Sequence, residues 1–417
     1  MRMVLWEMRK LLRPRLLIAT LLVAALYYFL ISNISITELQ RPHPSDYLYY
    51  TVKMTQEFGP TLEEAEFEQT GVWLEELYRQ ADEIVRTDPR IASLGIQTYK
   101  GLREYYEETS VAWQEENIDE TDVLLTSDWP EELKHVDDVT WMIFGQKTDD
   151  DGFLGWRIQT LESIRDKYIS WSNGIQQDLY EIEYADVLAW WQEADTDPPG
   201  IVEWGELHRA VFPYISFCLV WVLLTLTLLI APVLTRDRMA RMDTLQYASQ
   251  RGRRIYRSQL WAVLLTAFLL ITILLGVCAT ALVKVARVDI LWNNPMRSFM
   301  GGAFLVMPLT FGQYLLIMAA FAYALGLGAA LALFCLSGYS RNLVKMVATA
   351  AVPVFVGAGI LGGALLTWNG VFHYIKLVKL YLWSGVPLLE MGVPLLILIA
   401  GLAMALVFLR KRRKAEL

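Results

Sequence analysis

Runs of roughly 19 or more apolar residues recur along this chain, each long enough at about 1.5 Å per helical residue to cross a ~30 Å hydrocarbon core. Such runs leave few choices. Backbone polar groups in lipid must be satisfied within the segment, so each run is expected to be a membrane-spanning helix. An apolar fraction of 54% agrees, but its distribution says more. Residues 36–209 carry 39 acidic and 13 basic residues, and the rest of the chain carries 6 and 24. The formal net charge of −8 therefore averages an acidic domain and a basic membrane part, and it identifies no partner.

The runs predict six spans, at about 16–34, 211–234, 260–283, within 303–336, 347–367 and 388–409. The N-terminal run is too long for a typical signal peptide and is expected to stay as the first span. The run 303–336 exceeds one ordinary span, and Pro308 and Gly312 are expected to break it. Span five is rich in small residues, which allow close helix packing. Segment 368–385, with Trp368, Tyr374, Tyr381 and Trp383, reads as an outer interfacial or re-entrant stretch. The short segments assigned inside hold 19 basic residues and the short loops assigned outside hold 5. That bias places both termini in the cytoplasm of a multi-pass plasma-membrane protein, with bacterial origin expected.

Residues 1–15 read as an interfacial amphipathic helix, with Val4, Leu5, Met8, Leu11 and Leu12 on one face. The plainer alternative is a basic flank that only sets orientation. Residues 35–209 form a large extracytoplasmic domain between spans one and two, mostly helical. Pro60-Thr61 followed by Glu63 and Glu64 resembles a helix start. A second helical pattern covers about 153–194. Between them, Val139 to Phe144 reads as a short strand. Nine of the fifteen tryptophans lie in this domain, either as core or as a surface for an amphipathic ligand. Asp149-Asp150-Asp151-Gly152 lacks the ligand alternation of a calcium loop and reads as a solvated turn. The fold class is thus mainly α: a polytopic six-helix membrane domain (1–34 and 210–417) carrying an inserted outer domain (35–209).

Chemistry is sparse. No phosphate-cradling loop ending in Gly-Lys-Ser/Thr occurs, and no HExxH, GxSxG or CxxC. The chain is expected to be no enzyme by itself. Cys218, Cys278 and Cys335 all lie in apolar runs and read as buried thiols; no metal-ligand spacing links them. The spans lack acids and histidines in their middles, where an ion-coupled carrier would place them. Uphill transport would need energy from a partner.

The polar stretch 235–259 is where that partner would act. It holds seven arginines against Asp237 and Asp243. Thr235 or Asp237 can cap a helix start, Met239, Met242 and Leu245 recur at helical spacing, and Gly252 can end the helix. This gives apolar knobs ringed by arginines on the cytoplasmic side.

With the six spans and the basic N-terminal segment, the residues Arg236-Asp-Arg238, Asp243-Thr-Leu245, Ser249, Arg251-Gly-Arg253 and Arg257 resemble the permease subunits of type-2 ATP-binding-cassette exporters. The resemblance covers roughly 1–34 and 210–417. It implies two permease copies, identical or related, and two cytoplasmic ATPase subunits. ATP and Mg would be bound by those partners and no cofactor by this chain. Membrane lipids are expected around it and no nucleic acid. Residues 239–249 would be the coupling helix, with Arg238, Met239, Arg241, Met242, Thr244, Leu245, Arg253 and Arg254 at the ATPase surface. The cargo would be hydrophobic or amphipathic: a lipid, peptide or drug. The alternative is a non-transporting membrane sensor or assembly protein whose outer domain binds a ligand.

Overall fold

The computed structural model describes residues 2–117, 129–149, 152–172, 206–240, 255–295, 310–340, 342–352, 354–355 and 392–414. These are mainly helical and include no sheet, only isolated bridges at Lys147–Phe153 and Pro295–Thr310. The chain divides into two compact units: Met1–Glu38 with Leu207–Trp292 and Phe311–Leu417, and Leu39–Glu206 with Asn293–Thr310.

The first unit contains five helical stretches long and apolar enough to cross a membrane: Pro14–Gln40, Ala210–Met239, Ile255–Ala286, Phe311–Ser337 and Pro394–Lys411. The expected span at 347–367 lies mostly outside the described residues, as does the segment 368–385. Helix α1 (Arg2–Leu11) precedes α2 (Pro14–Tyr27). Pro14 occupies the first helical position, where its missing N–H costs nothing. A π-helical turn, Tyr28–Ser32, then leads into α3 (Asn33–Thr37). Just before it, the indole of Trp221 donates to the Ala24 carbonyl at 2.7 Å, which also accepts from the Tyr28 N–H.

In the second unit, α4 (Pro42–Phe58), α5 (Glu64–Thr87), α6 (Pro89–Ala92), α7 (Tyr99–Asn117), α8 (Glu131–Gly145) and α9 (Leu154–Ser172) pack around two apolar clusters. The helix start read at 60–64 is closed by a capping box, in which Glu63 N–H donates to Glu66 Oε2 at 2.7 Å. The strand expected at 139–144 is instead the end of α8. Leu133, Val136, Val139 and Ile143 recur at helical spacing and are buried, while Trp141 and Met142 are exposed. A hexapeptide of β-favouring residues is outvoted by the longer period around it. The pattern expected over 153–194 is described only as far as Ser172. Asp149 lies in a turn closed by Thr148 N–H to Gly152 O at 2.9 Å.

Back in the first unit, α10 (Glu206–Ile230) and α11 (Val233–Met239) meet at Pro232. Helix α12 (Ile255–Ala286) carries Lys284 in its last turn, and Arg287 ends it in the left-handed region at φ 49°. A cation in the last helical turn faces the partial negative charge there. After α13 (Val288–Leu291), the described residues of the apolar run 303–336 lie in α14 (Phe311–Ser337) and just before it, and residues 303–309 lie outside the described residues. Gly312 sits in its first turn and breaks nothing; Pro308 lies outside the described residues. Helix α15 (Leu343–Met346) and a π-helical turn (Val347–Ala351) follow, and α16 (Gly392–Lys414) packs against α14.

Candidate functional site

Two basic stretches of the first unit, residues 1–15 and 235–259, each contain an acid that folding turns inward. Glu7 is the one acidic residue among the first 37, and it is 2% exposed beside Leu11. Of the apolar face expected for α1, Leu11 is buried and Val4 and Met8 are half-buried. Glu7 and Leu11, four apart, pack toward α12, while Leu5 and Leu12 are exposed. Asp237, 6% exposed, projects from α11, and Gln259, 2% exposed, from the first turns of α12.

These three side chains and Lys10 form one network. The Lys10 ammonium pairs with Asp237 and lies 3.8 Å from Glu7 Oε2. The Gln259 amide donates to Asp237 Oδ2 at 2.9 Å and to Glu7 Oε2 at 3.4 Å. Glu7 Oε1 and Gln259 Oε1 are buried without a hydrogen-bond partner. Burial pushes the Glu7 carboxyl above its ordinary value; Lys10 opposes that shift and Asp237 adds to it. Two carboxylates share one ammonium here, so a proton on Glu7 balances the cluster.

Helix α11 is also fastened on its other side. Arg238 donates to the Ser340 carbonyl at 2.9 Å and to the Gly338 carbonyl. Thr235 Oγ1 donates to Ser337 O at 3.3 Å. These acceptors lie at the C-terminal end of α14, where carbonyls lack helical partners and favour cations. Thr235 and Asp237 are thus buried interior residues of α11, not the helix cap expected of them. Pro232 provides the start one turn earlier, having no N–H to lose there.

Of the residues assigned to docking, Arg238 points back into this joint, while Met239 is 61% exposed at the end of α11. Arg241, Met242, Thr244, Leu245, Arg253 and Arg254 lie outside the described residues. Sequence reasoning missed Glu7, Lys10 and Gln259 as a network. The available signal was a solitary acid in a basic amphipathic segment, which is costly unless it finds a cation.

A second feature lies among α10, α12 and α14. An apolar cavity of about 230 Å³ is lined by Tyr214, Cys218, Leu275, Cys278 and Met318 among others. Cys218 and Cys278 bring their sulfurs to 2.7 Å, and all three cysteines are buried free thiols. Tyr28 and Tyr214 join hydroxyl to hydroxyl at 3.0 Å. Among the described residues no group of three His, Cys, Asp or Glu side chains has the arrangement of a metal site.

In comparisons with family models, curated proteins and solved structures, the chain matches none.

Proposed function

We propose that this chain is the permease subunit of an ATP-driven exporter, energised by a separate ATPase that docks on residues 235–259. The supporting observation is the fastening of α11. One short helix touches α1 through Asp237 and Lys10, α12 through Gln259, and α14 through Arg238 and Thr235. It leads directly into the arginine-rich stretch. A push delivered there reaches three other helices through polar contacts with few alternative arrangements, which suits a two-state element. The same wiring would be superfluous in a stretch that merely held a loop inside. Cargo would be amphipathic or apolar, in keeping with the apolar cavity among α10, α12 and α14.

The test uses the chain purified with its ATPase. Leu245→Asp should abolish ATPase co-purification and cargo-stimulated hydrolysis while leaving the chain folded in the membrane. Unchanged co-purification and hydrolysis would refute the docking site. A second reading, a ligand-sensing membrane protein, draws on the separate cores of the second unit. It predicts that no ATPase co-purifies with the wild-type chain.

A further inference from the structure

Beside the buried network lies a cavity of about 330 Å³ formed by α1, the start of α2, the end of α10 and α11. Its walls are of two kinds. Leu16, Leu229 and Val233 supply apolar surface, and Arg13 and Arg236 also line it. Both arginines are exposed, and neither guanidinium has a hydrogen-bond or ion-pair partner among the described residues. Trp6, 57% exposed, also lines the cavity. Lys10, Glu7 and Asp237 form its polar wall, so three cations face two carboxyl groups, and the cavity has an excess of one positive charge with Glu7 ionised and of two with Glu7 protonated.

We propose that this cavity is a phospholipid site: Arg13 and Arg236 hold the headgroup phosphate of an anionic phospholipid, and its acyl chains run along the apolar wall. Guanidinium pairs suit the planar recognition of phosphate oxygens. The apolar wall favours a lipid over a free phosphate. The excess positive charge favours an anionic headgroup over a zwitterionic one. Position agrees, since Arg13 immediately precedes the first apolar helix and Trp6 is of the type that settles at headgroup depth. The occupant would join the start of α2 to the joint of α10 and α11, beside the ion pair between Lys10 and Asp237. This site requires only the membrane reading of the chain and not the ATPase.

The test is native mass spectrometry of the full chain in detergent, with phosphatidylglycerol or phosphatidylcholine of matched acyl chains. Wild type should retain phosphatidylglycerol in preference to phosphatidylcholine. The Arg13→Gln/Arg236→Gln variant should retain about tenfold less of it. Its lipid-free melting temperature should be unchanged, because neither guanidinium has a partner among the described residues. Arg9→Gln/Arg15→Gln removes two cations that do not line the cavity and should retain lipid like wild type. Equal retention of the two lipids, or equal loss in both double variants, would overturn the site. Displacement of the lipid by millimolar inorganic phosphate would overturn the role given to the acyl chains.

Discussion

A carboxyl group driven out of water must keep a proton or find a cation, and Glu7 is set between those solutions. Its native pKa is raised, so the folded chain holds the proton more tightly than the unfolded chain does. The stability contribution is therefore largest below 4.5, the ordinary value, and declines as pH rises through the raised native value. Glu7→Gln should remove that decline. Melting curves should show the variant more stable than wild type at neutral pH and the difference closing toward pH 4.5; parallel curves across that range would contradict the assignment. In the second unit a different arrangement holds. Asp46 and Arg157, with side chains 2% and 4% exposed, pair at 2.6 Å, and the guanidinium lies over the Tyr49 ring. Asp46→Asn would leave a buried cation without its counter-charge. Denaturant unfolding should show a loss of about 3–5 kcal/mol, and no loss would mean the pair is not formed. The arginines of 235–259 were legible in the sequence as a cluster. That Arg238 would turn back onto α14 was not, because the carbonyls it reaches lie about a hundred residues away. The buried acids were equally hidden: periodicity marks apolar faces, and an acid on such a face reads as an exception until its cation is seen.

Helix positions were largely legible, since long apolar runs admit one solution in lipid. Helix interiors were less so. The start of α11 at Pro232 depends on a proline's local geometry, and no apolar period marks the π-helical turn after Tyr27. The strand expected at 139–144 failed because local β-propensity was weighed over the period of the whole segment. Small residues prove decisive where α14 meets α16. A Cβ on Gly401 would lie 2.7 Å from the Gly328 carbonyl oxygen, and one on Gly328 would lie 2.8 Å from Ile397 O. The obstacles are backbone atoms, so the helices themselves would have to part. Gly401→Ala should cost about 1–3 kcal/mol, read as a lower melting temperature in detergent; an unaltered melt would show that the two helices are not so closely apposed. The packing of α10 on α12 is open to a chemical check. Mild iodine oxidation should link Cys218 to Cys278, detected as one joined peptide, while Cys335 stays alkylatable. Free alkylation of all three thiols after that treatment would place α10 and α12 elsewhere.

At the scale of the molecule, the chain builds one apolar unit from three separated segments and a second, helical unit from two. The acidic stretch 36–209 largely coincides with the second unit, and this division was visible as an abrupt shift in charge. What the composition did not reveal is that residues 293–310 join the same unit, tied there by Asn294 Nδ2 donating to Thr55 Oγ1 at 2.9 Å. Function in this account rests on the other unit, where α11 connects three helices to the stretch that follows Met239. The most direct measurement places a photo-crosslinking phenylalanine analogue at Met239, the exposed last residue of α11, and irradiates living cells. The expected outcome is a covalent adduct with a cytoplasmic nucleotide-binding ATPase, lost when Leu245 is replaced by Asp. Labelling of a Met239→Cys variant by a membrane-impermeant reagent added outside intact cells would contradict it.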